Sequence, residues 1–158
     1  MVKKVEKFKK EISYIKDLNI RKDTRKLVSM MPEYFFEIPA SSSGKYHPKY
    51  ALESNGLLKH TKVCVRIANE LLNNNVTGMR FLDRDKDLII MALILHDGLK
   101  MGVKKSEHTK FEHPLLVSKL IMENQSKLTM DIDDIRKVCS MIESHMGEWT
   151  NDPYTKKE

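Results

Sequence analysis

"DKDLIIMALILHDGLK", residues 85–100, decides the fold. Its near-continuous apolar run, Leu88 to Leu95, is too short to cross a bilayer and too uniformly apolar for a surface helix, so it predicts a helix buried on most sides. The run ends in an imidazole beside a carboxylate, His96 and Asp97. Removing a carboxylate from water without a partner is expensive, so Asp97 requires a cation or a set of donors close by. Neighbouring residues on a helix point about 100° apart, and the pair can share a ligand only where other helices close a groove around both. Gly98, directly after, weakens the helix and lets the backbone turn.

Apolar residues recur at three- and four-residue steps on either side. Val5, Phe8, Ile12, Ile15 and Leu18 predict one amphipathic helix, and Thr24 to Met31 a second that Pro32 stops. "EIPASSSGKYHPKYALESN", residues 37–55, is rich in Ser, Pro and Gly and reads as a loop. Helical periodicity returns after Gly56 through Leu57, His60, Val63, Cys64, Ile67, Ala68, Leu71 and Leu72, and breaks at Asn73 to Asn75. Pro114 suits the first turn of a helix continued by Leu115, Leu116, Lys119, Leu120 and Met122. A last helix starts near Asp131, where acidic residues complement its dipole, and runs through Ile135, Val138 and Ile142 to about His145. No period-two alternation appears. The expectation is an all-α bundle of about six helices without internal repeats, its first 36 residues a basic helical segment and residues 37–158 the body of a single structural domain.

A chain of 158 residues can bury roughly 70% of the surface its unfolded form exposes, enough for one substantial core. Charged residues make up 32% against only six Gly and five Pro, which excludes a low-complexity or disordered chain. Cys64 and Cys139 lie far apart without CxxC spacing and read as buried free thiols. The N-terminus has basic residues but no apolar leader, and the longest apolar run is too short to span. A cytoplasmic protein with no membrane segment is expected; oligomeric state is not written in the sequence.

Residues 1–26 carry ten Lys or Arg against Glu6, Glu11, Asp17 and Asp23, a surplus equal to the whole chain's net charge of +6. Such a segment either draws phosphate-rich ligands at long range or is a solvated helix face, the latter favoured by the i,i+4 order of Glu6 and Lys10.

Six histidines are present, and four stand at distinctive places: His60 on an amphipathic helix, His96 beside Asp97, His113 before Pro114, and His145 near the end of the last helix. In an antiparallel bundle the helix ends can bring His60, His96, Asp97, His113 and His145 to one spot. Nitrogen with carboxylate oxygen suits divalent Mn, Fe, Ni or Zn better than Ca or Mg alone.

At these residues the chain resembles the HD-domain metal-dependent phosphohydrolases, whose pattern is H…HD…H…H…D on a helical bundle. "GLLKHT" (56–61) is similar to the first ligand segment, "ALILHDGLK" (92–100) to the HD segment with its trailing lysine, "FEHP" (111–114) to the third and "IESHMG" (142–147) to the fourth. The similarity spans about residues 38–149, nearest to small phage and bacterial HD hydrolases and more distantly to the HD domain of 3′-to-5′ exoribonucleases. It implies His60, His96 and Asp97 as direct ligands of one or two divalent ions (Mn, Fe, Ni, Zn or Mg), and Lys100 near a substrate phosphate. His113 and His145 would hold a second ion or the scissile phosphate. The chain departs from the pattern twice. Met146 follows His145 where many two-metal relatives have paired histidines, and the family's last aspartate has only Asp152 as its aspartate candidate in the tail "TNDPYTKKE". Either the domain is cut short at its C-terminal end or a water completes the ligand set.

The implied activity is hydrolysis of phosphoester bonds in a nucleotide or single-stranded nucleic acid by a metal-activated water, a phosphohydrolase or phosphodiesterase reaction. Asp97 would ligate and orient the water, while Lys100, with Lys45 or His47 from the Ser-rich loop, offsets phosphoryl charge. "SSSGK" lacks the first glycine and the following Ser or Thr of a P-loop. Trp149, Tyr46 and Tyr50 could stack a base or simply pack. The rival reading is a non-catalytic HD fold that binds a nucleotide or protein through a weakened metal site; a third is a buried His96–Asp97 pair needing no metal.

Overall fold

The computed structural model describes residues 2–44 and 47–147. The chain is all-α, and no strand occurs among the described residues. Among the described residues seven α-helices follow in order: α1 (Val2–Lys7), α2 (Lys9–Ser13), α3 (Leu18–Met30), α4 (Gly56–Asn73), α5 (Asp83–Leu95), α6 (His113–Glu123) and α7 (Ile132–Ser144). The apolar helix α5 is central, packing against α3, α4 and α7, with α6 laid against α7. Among the described residues no helix is long and apolar enough to cross a membrane.

The N-terminal helix expected through Leu18 is instead three pieces. Phe8, Ile12 and Ile15 are fully buried as their spacing predicts, but Leu18 is 73% exposed and opens α3. Asp17 is the reason: its Oδ1 accepts hydrogen bonds from the Asn19 and Ile20 amides at 2.8 and 3.0 Å, starting a helix six residues before Thr24. Thr24 is therefore interior, its hydroxyl turned back on the Ile20 carbonyl at 2.7 Å.

The basic segment is part of the core. Phe8 packs on Phe35 and Phe36 with ring centroids 6.0 and 6.2 Å away, each such buried side chain stabilising the fold by about 1.5–3 kcal/mol. Two of its four acidic residues are not solvated: Glu11 is fully buried against Arg66, with Oε1 2.9 Å from Nε, and Asp23 Oδ2 accepts from the Thr129 and Met130 amides at 2.7 and 2.8 Å. Asp87, on α5, accepts from the Lys16 and Asp17 amides at 2.9 and 2.7 Å. These links staple residues 11–23 to α4, α5 and the approach to α7. Glu6 pairs with Lys9, not Lys10, at 3.9 Å on the exposed face.

The stripe of α4 is also displaced from its expected setting. Leu57, Leu58, Thr61, Val65 and Leu72 face the core, whereas Ile67 and Leu71 are 55% and 54% exposed. His60 and Cys64 lie on that outer flank, at the end nearest the α5 C-terminus. The Ser-rich loop closes over the start of α4 through Leu57 N donating to Ile38 O at 3.0 Å and Ala40 N to Ala51 O at 2.8 Å. Gly56 is required there, because a Cβ would stand 2.0 Å from the Ala51 carbonyl oxygen.

Candidate metal centre

The apolar run of α5 ends on an imidazole because the ring completes the helix. His96 is the C-cap, and its Nδ1 donates to the Leu93 carbonyl at 2.7 Å, satisfying one of the last-turn acceptors that a helix leaves open. α7 ends the same way, with His145 Nδ1 on Ile142 O at 2.6 Å. His113, the first residue of α6, turns its Nδ1 to the Lys110 carbonyl, also at 2.6 Å. In the neutral tautomer these carbonyls select, all three rings carry the proton on Nδ1 and a lone pair on Nε2.

The three Nε2 atoms converge on Asp97, which is 1% exposed. Its Oδ1 lies 2.9 Å from His113 Nε2 and 3.7 Å from His145 Nε2, and the two Nε2 atoms are 3.2 Å apart. Among the described residues Oδ1 is buried and, with His113 Nε2 carrying its lone pair, accepts no hydrogen bond. Oδ2 faces Lys100 Nζ at 2.8 Å and His96 Nε2 at 3.4 Å. His60, from α4, completes the ring of imidazoles, its centroid 5.9 Å from that of His96. Two ligand sets result, each with its ligand atoms within 4.8 Å of one another: His60, His96 and Asp97; and Asp97, His113 and His145.

The electrostatics match a site built for a cation. Burial pushes His60 and His145 down to about 4, so both present lone pairs at neutral pH. For His96 burial also acts downward, but the Asp97 charge and hydrogen bond outweigh it and raise the pKa above the ordinary 6.5. Burial would raise Asp97; the charges of His96 and Lys100 instead hold it well below the carboxylate range. A buried carboxylate oxygen with no donor, faced by lone pairs, fits a divalent metal: the donor set is nitrogen and oxygen, and three of the four rings already have the carbonyl partner on the far nitrogen that ligand histidines use.

Tyr34, not singled out by the sequence, fixes the turn that carries Asp97 and Lys100. Its hydroxyl donates to Gly102 O at 2.6 Å and accepts from Met101 N at 3.2 Å, and burial raises its pKa to about 12. Gly98 lies in the turn that follows α5, as expected, without a positive φ; a Cβ there would meet Leu95 O at 2.9 Å and Met31 Cε at 3.2 Å.

Of the expected site residues, the structure brings His60, His96, Asp97, His113, His145 and Lys100 together. His47 joins them, its ring edge-on to His60 with centroids 4.8 Å apart and its Nδ1 buried without a partner among the described residues. Lys45 and Asp152 lie outside the described residues, as do Tyr46 and Trp149. Tyr50 is exposed on a short 3-10 turn, Lys49–Ala51. Both cysteines are free; Cys139 is buried and Cys64 half-buried. No family model, curated protein or solved structure matches the chain.

Proposed function

We propose that the chain is a metal-dependent phosphohydrolase of the HD-domain type, hydrolysing phosphoester bonds in a nucleotide or single-stranded nucleic acid. The observation that supports this most is the convergence of imidazole nitrogens on a buried carboxylate oxygen for which the described residues supply no donor while those nitrogens are neutral. His60, His96 and Asp97 would hold one ion; His113 and His145, with Asp97, would hold a second ion or the scissile phosphate. A divalent ion held there would supply Lewis acidity, activating water near neutral pH and offsetting phosphoryl charge.

The chain's own residues do the remaining work. Asp97 orients the attacking water by accepting its hydrogen bond, and its depressed pKa keeps it an acceptor throughout the physiological range. Lys100 holds a fixed positive charge beside the carboxylate, where it balances charge growing on the phosphoryl oxygens. Tyr34 holds the turn on which both stand. The α5–α7 contact holds the His96 and His145 rings at 5.0 Å, so neither need reorganise.

Hydrolysis of single-stranded RNA, single-stranded DNA, nucleotides and generic phosphodiesters, assayed with Mn, Ni and Mg, tests the proposal. Activity on at least one, abolished by Asp97→Ala with helicity retained, is expected. A wild-type chain that binds metal yet cleaves nothing in the panel would favour the binding-module reading.

A further inference from the structure

The imidazoles of the centre stand in a row, each ring edge-on to the next. His47 meets His60, His60 meets His96, His96 meets His145 and His145 meets His113, with centroids 4.8, 5.9, 5.0 and 5.1 Å apart. An exposed aromatic residue accompanies each end of the row. Tyr50 comes just after His47, on the 3-10 turn Lys49–Ala51, and Phe111 just before His113, the first residue of α6.

Phe111 is more than half exposed although the backbone on both sides of it is pinned. Lys110 N donates to Lys100 O at 2.8 Å, and His113 donates to Lys110 O from its amide at 3.1 Å and from Nδ1 at 2.6 Å. These bonds close residues 101–110 into a compact loop that leaves the centre beside Asp97 and returns to it at His113. Ser106 N braces the loop from inside, donating to Met101 O at 2.9 Å. Outward the loop presents Lys104, Lys105 and Lys110, all exposed and none in an ion pair among the described residues, against the carboxylates of Glu107 and Glu112.

A lone exposed apolar side chain is ordinary. A pinned aromatic residue, a second aromatic at the far end of the row and lysines on the same loop are together the composition of a surface that stacks bases and tracks a phosphate backbone. A free nucleotide has one base and can use one of the two rings, whereas a strand with its scissile phosphate at the row has a base on either side.

We infer that the ligand of this surface is single-stranded nucleic acid, with Phe111 and Tyr50 stacking the bases that flank the scissile phosphate and Lys104, Lys105 and Lys110 holding phosphates beyond it. The inference rests on the centre proposed above as the seat of that phosphate, and narrows its substrate to a polymer.

Fluorescence anisotropy of labelled RNA and DNA strands of about ten nucleotides tests it on the full chain, with manganese and with EDTA, so that binding is read apart from cleavage. The variants are Phe111→Ala, Phe111→Trp, Tyr50→Ala and Lys104→Ala/Lys105→Ala; all these side chains are exposed, and circular dichroism checks the fold. Phe111→Ala and Tyr50→Ala should each weaken strand binding about tenfold, while Phe111→Trp retains it. The double lysine variant should flatten the slope of log affinity against log salt by about 1.4. Comparing RNA with DNA shows which strand is preferred, and a mononucleotide should compete at least about tenfold more weakly than either. Full affinity in both alanine variants, an unchanged salt slope, or a mononucleotide that competes as well as a strand overturns the inference. A chain that hydrolyses a generic phosphodiester but binds no strand overturns the inference alone. One that binds strands with these losses yet cleaves nothing overturns the hydrolase reading and keeps the surface.

Discussion

Replacing Lys100 by Met should weaken the metal-free fold, tighten metal binding and slow hydrolysis, all at once. The Nζ atom sits 2.8 Å from Asp97 Oδ2, with side chains 11% and 2% exposed. Deleting one partner of a buried pair costs about 3–5 kcal/mol, because the other charge stays buried without compensation. Here the surviving carboxylate would keep only His96, at 3.4 Å, on Oδ2 and no hydrogen-bond donor on Oδ1. Lys100 retains slight solvent access, which favours the lower figure, about 3 kcal/mol, or a fall in Tm of about 6–12 °C for a chain of this size. A bound metal neutralises the same carboxylate, so the holo protein escapes much of this penalty. By linkage the variant then binds metal about 10- to 100-fold more tightly, since each 1.4 kcal/mol is a factor of ten. Urea denaturation with and without metal, beside calorimetric titration, measures both quantities. A metal-free loss below about 1 kcal/mol, or weaker metal binding in the variant, would refute the reasoning.

Two further outcomes follow from the same contacts. Tyr34→Phe leaves the Met101 amide and the Gly102 carbonyl short of a buried partner, and should lower stability by about 2–4 kcal/mol while weakening metal binding, read by urea denaturation and titration. Metal-free stability should fall as pH drops from 6.5 toward 4: His60 and His145 stay neutral in the fold down to about 4, so the unfolded chain takes up their protons first. His96 has the opposite sign, adding stability in acid that is lost as pH rises past its elevated pKa. The urea midpoint between pH 4 and 7 should therefore depend less steeply on pH in His145→Gln and more steeply in His96→Gln.

The helices built on apolar period were legible. The run Leu88 to Leu95 reads as a buried helix from any direction, and Pro114 and Asp131 mark the starts of α6 and α7 within a residue or so. The N-terminus misled because periodicity continues through Leu18 while the Asp17 cap, a local polar signal inside the apolar rhythm, restarts the helix. Buried acids were illegible for a different reason. Glu11, Asp23 and Asp87 look like surface charges until Arg66 and the amides of Thr129, Met130, Lys16 and Asp17 are brought to them from far along the chain. In the site, the rare imidazoles beside helix ends were enough to group His60, His96, Asp97, His113 and His145. The Tyr34 hydroxyl carries no such mark. Tyr34 lies on another segment, 67 residues from Met101.

A crystal grown with zinc and measured on both sides of the zinc absorption edge tests the metal centre most directly. An anomalous peak is predicted about 2.0–2.2 Å from an Asp97 carboxylate oxygen and from ring nitrogens of His60 and His96. An empty anomalous map around Asp97, with zinc present at saturating concentration, would contradict it.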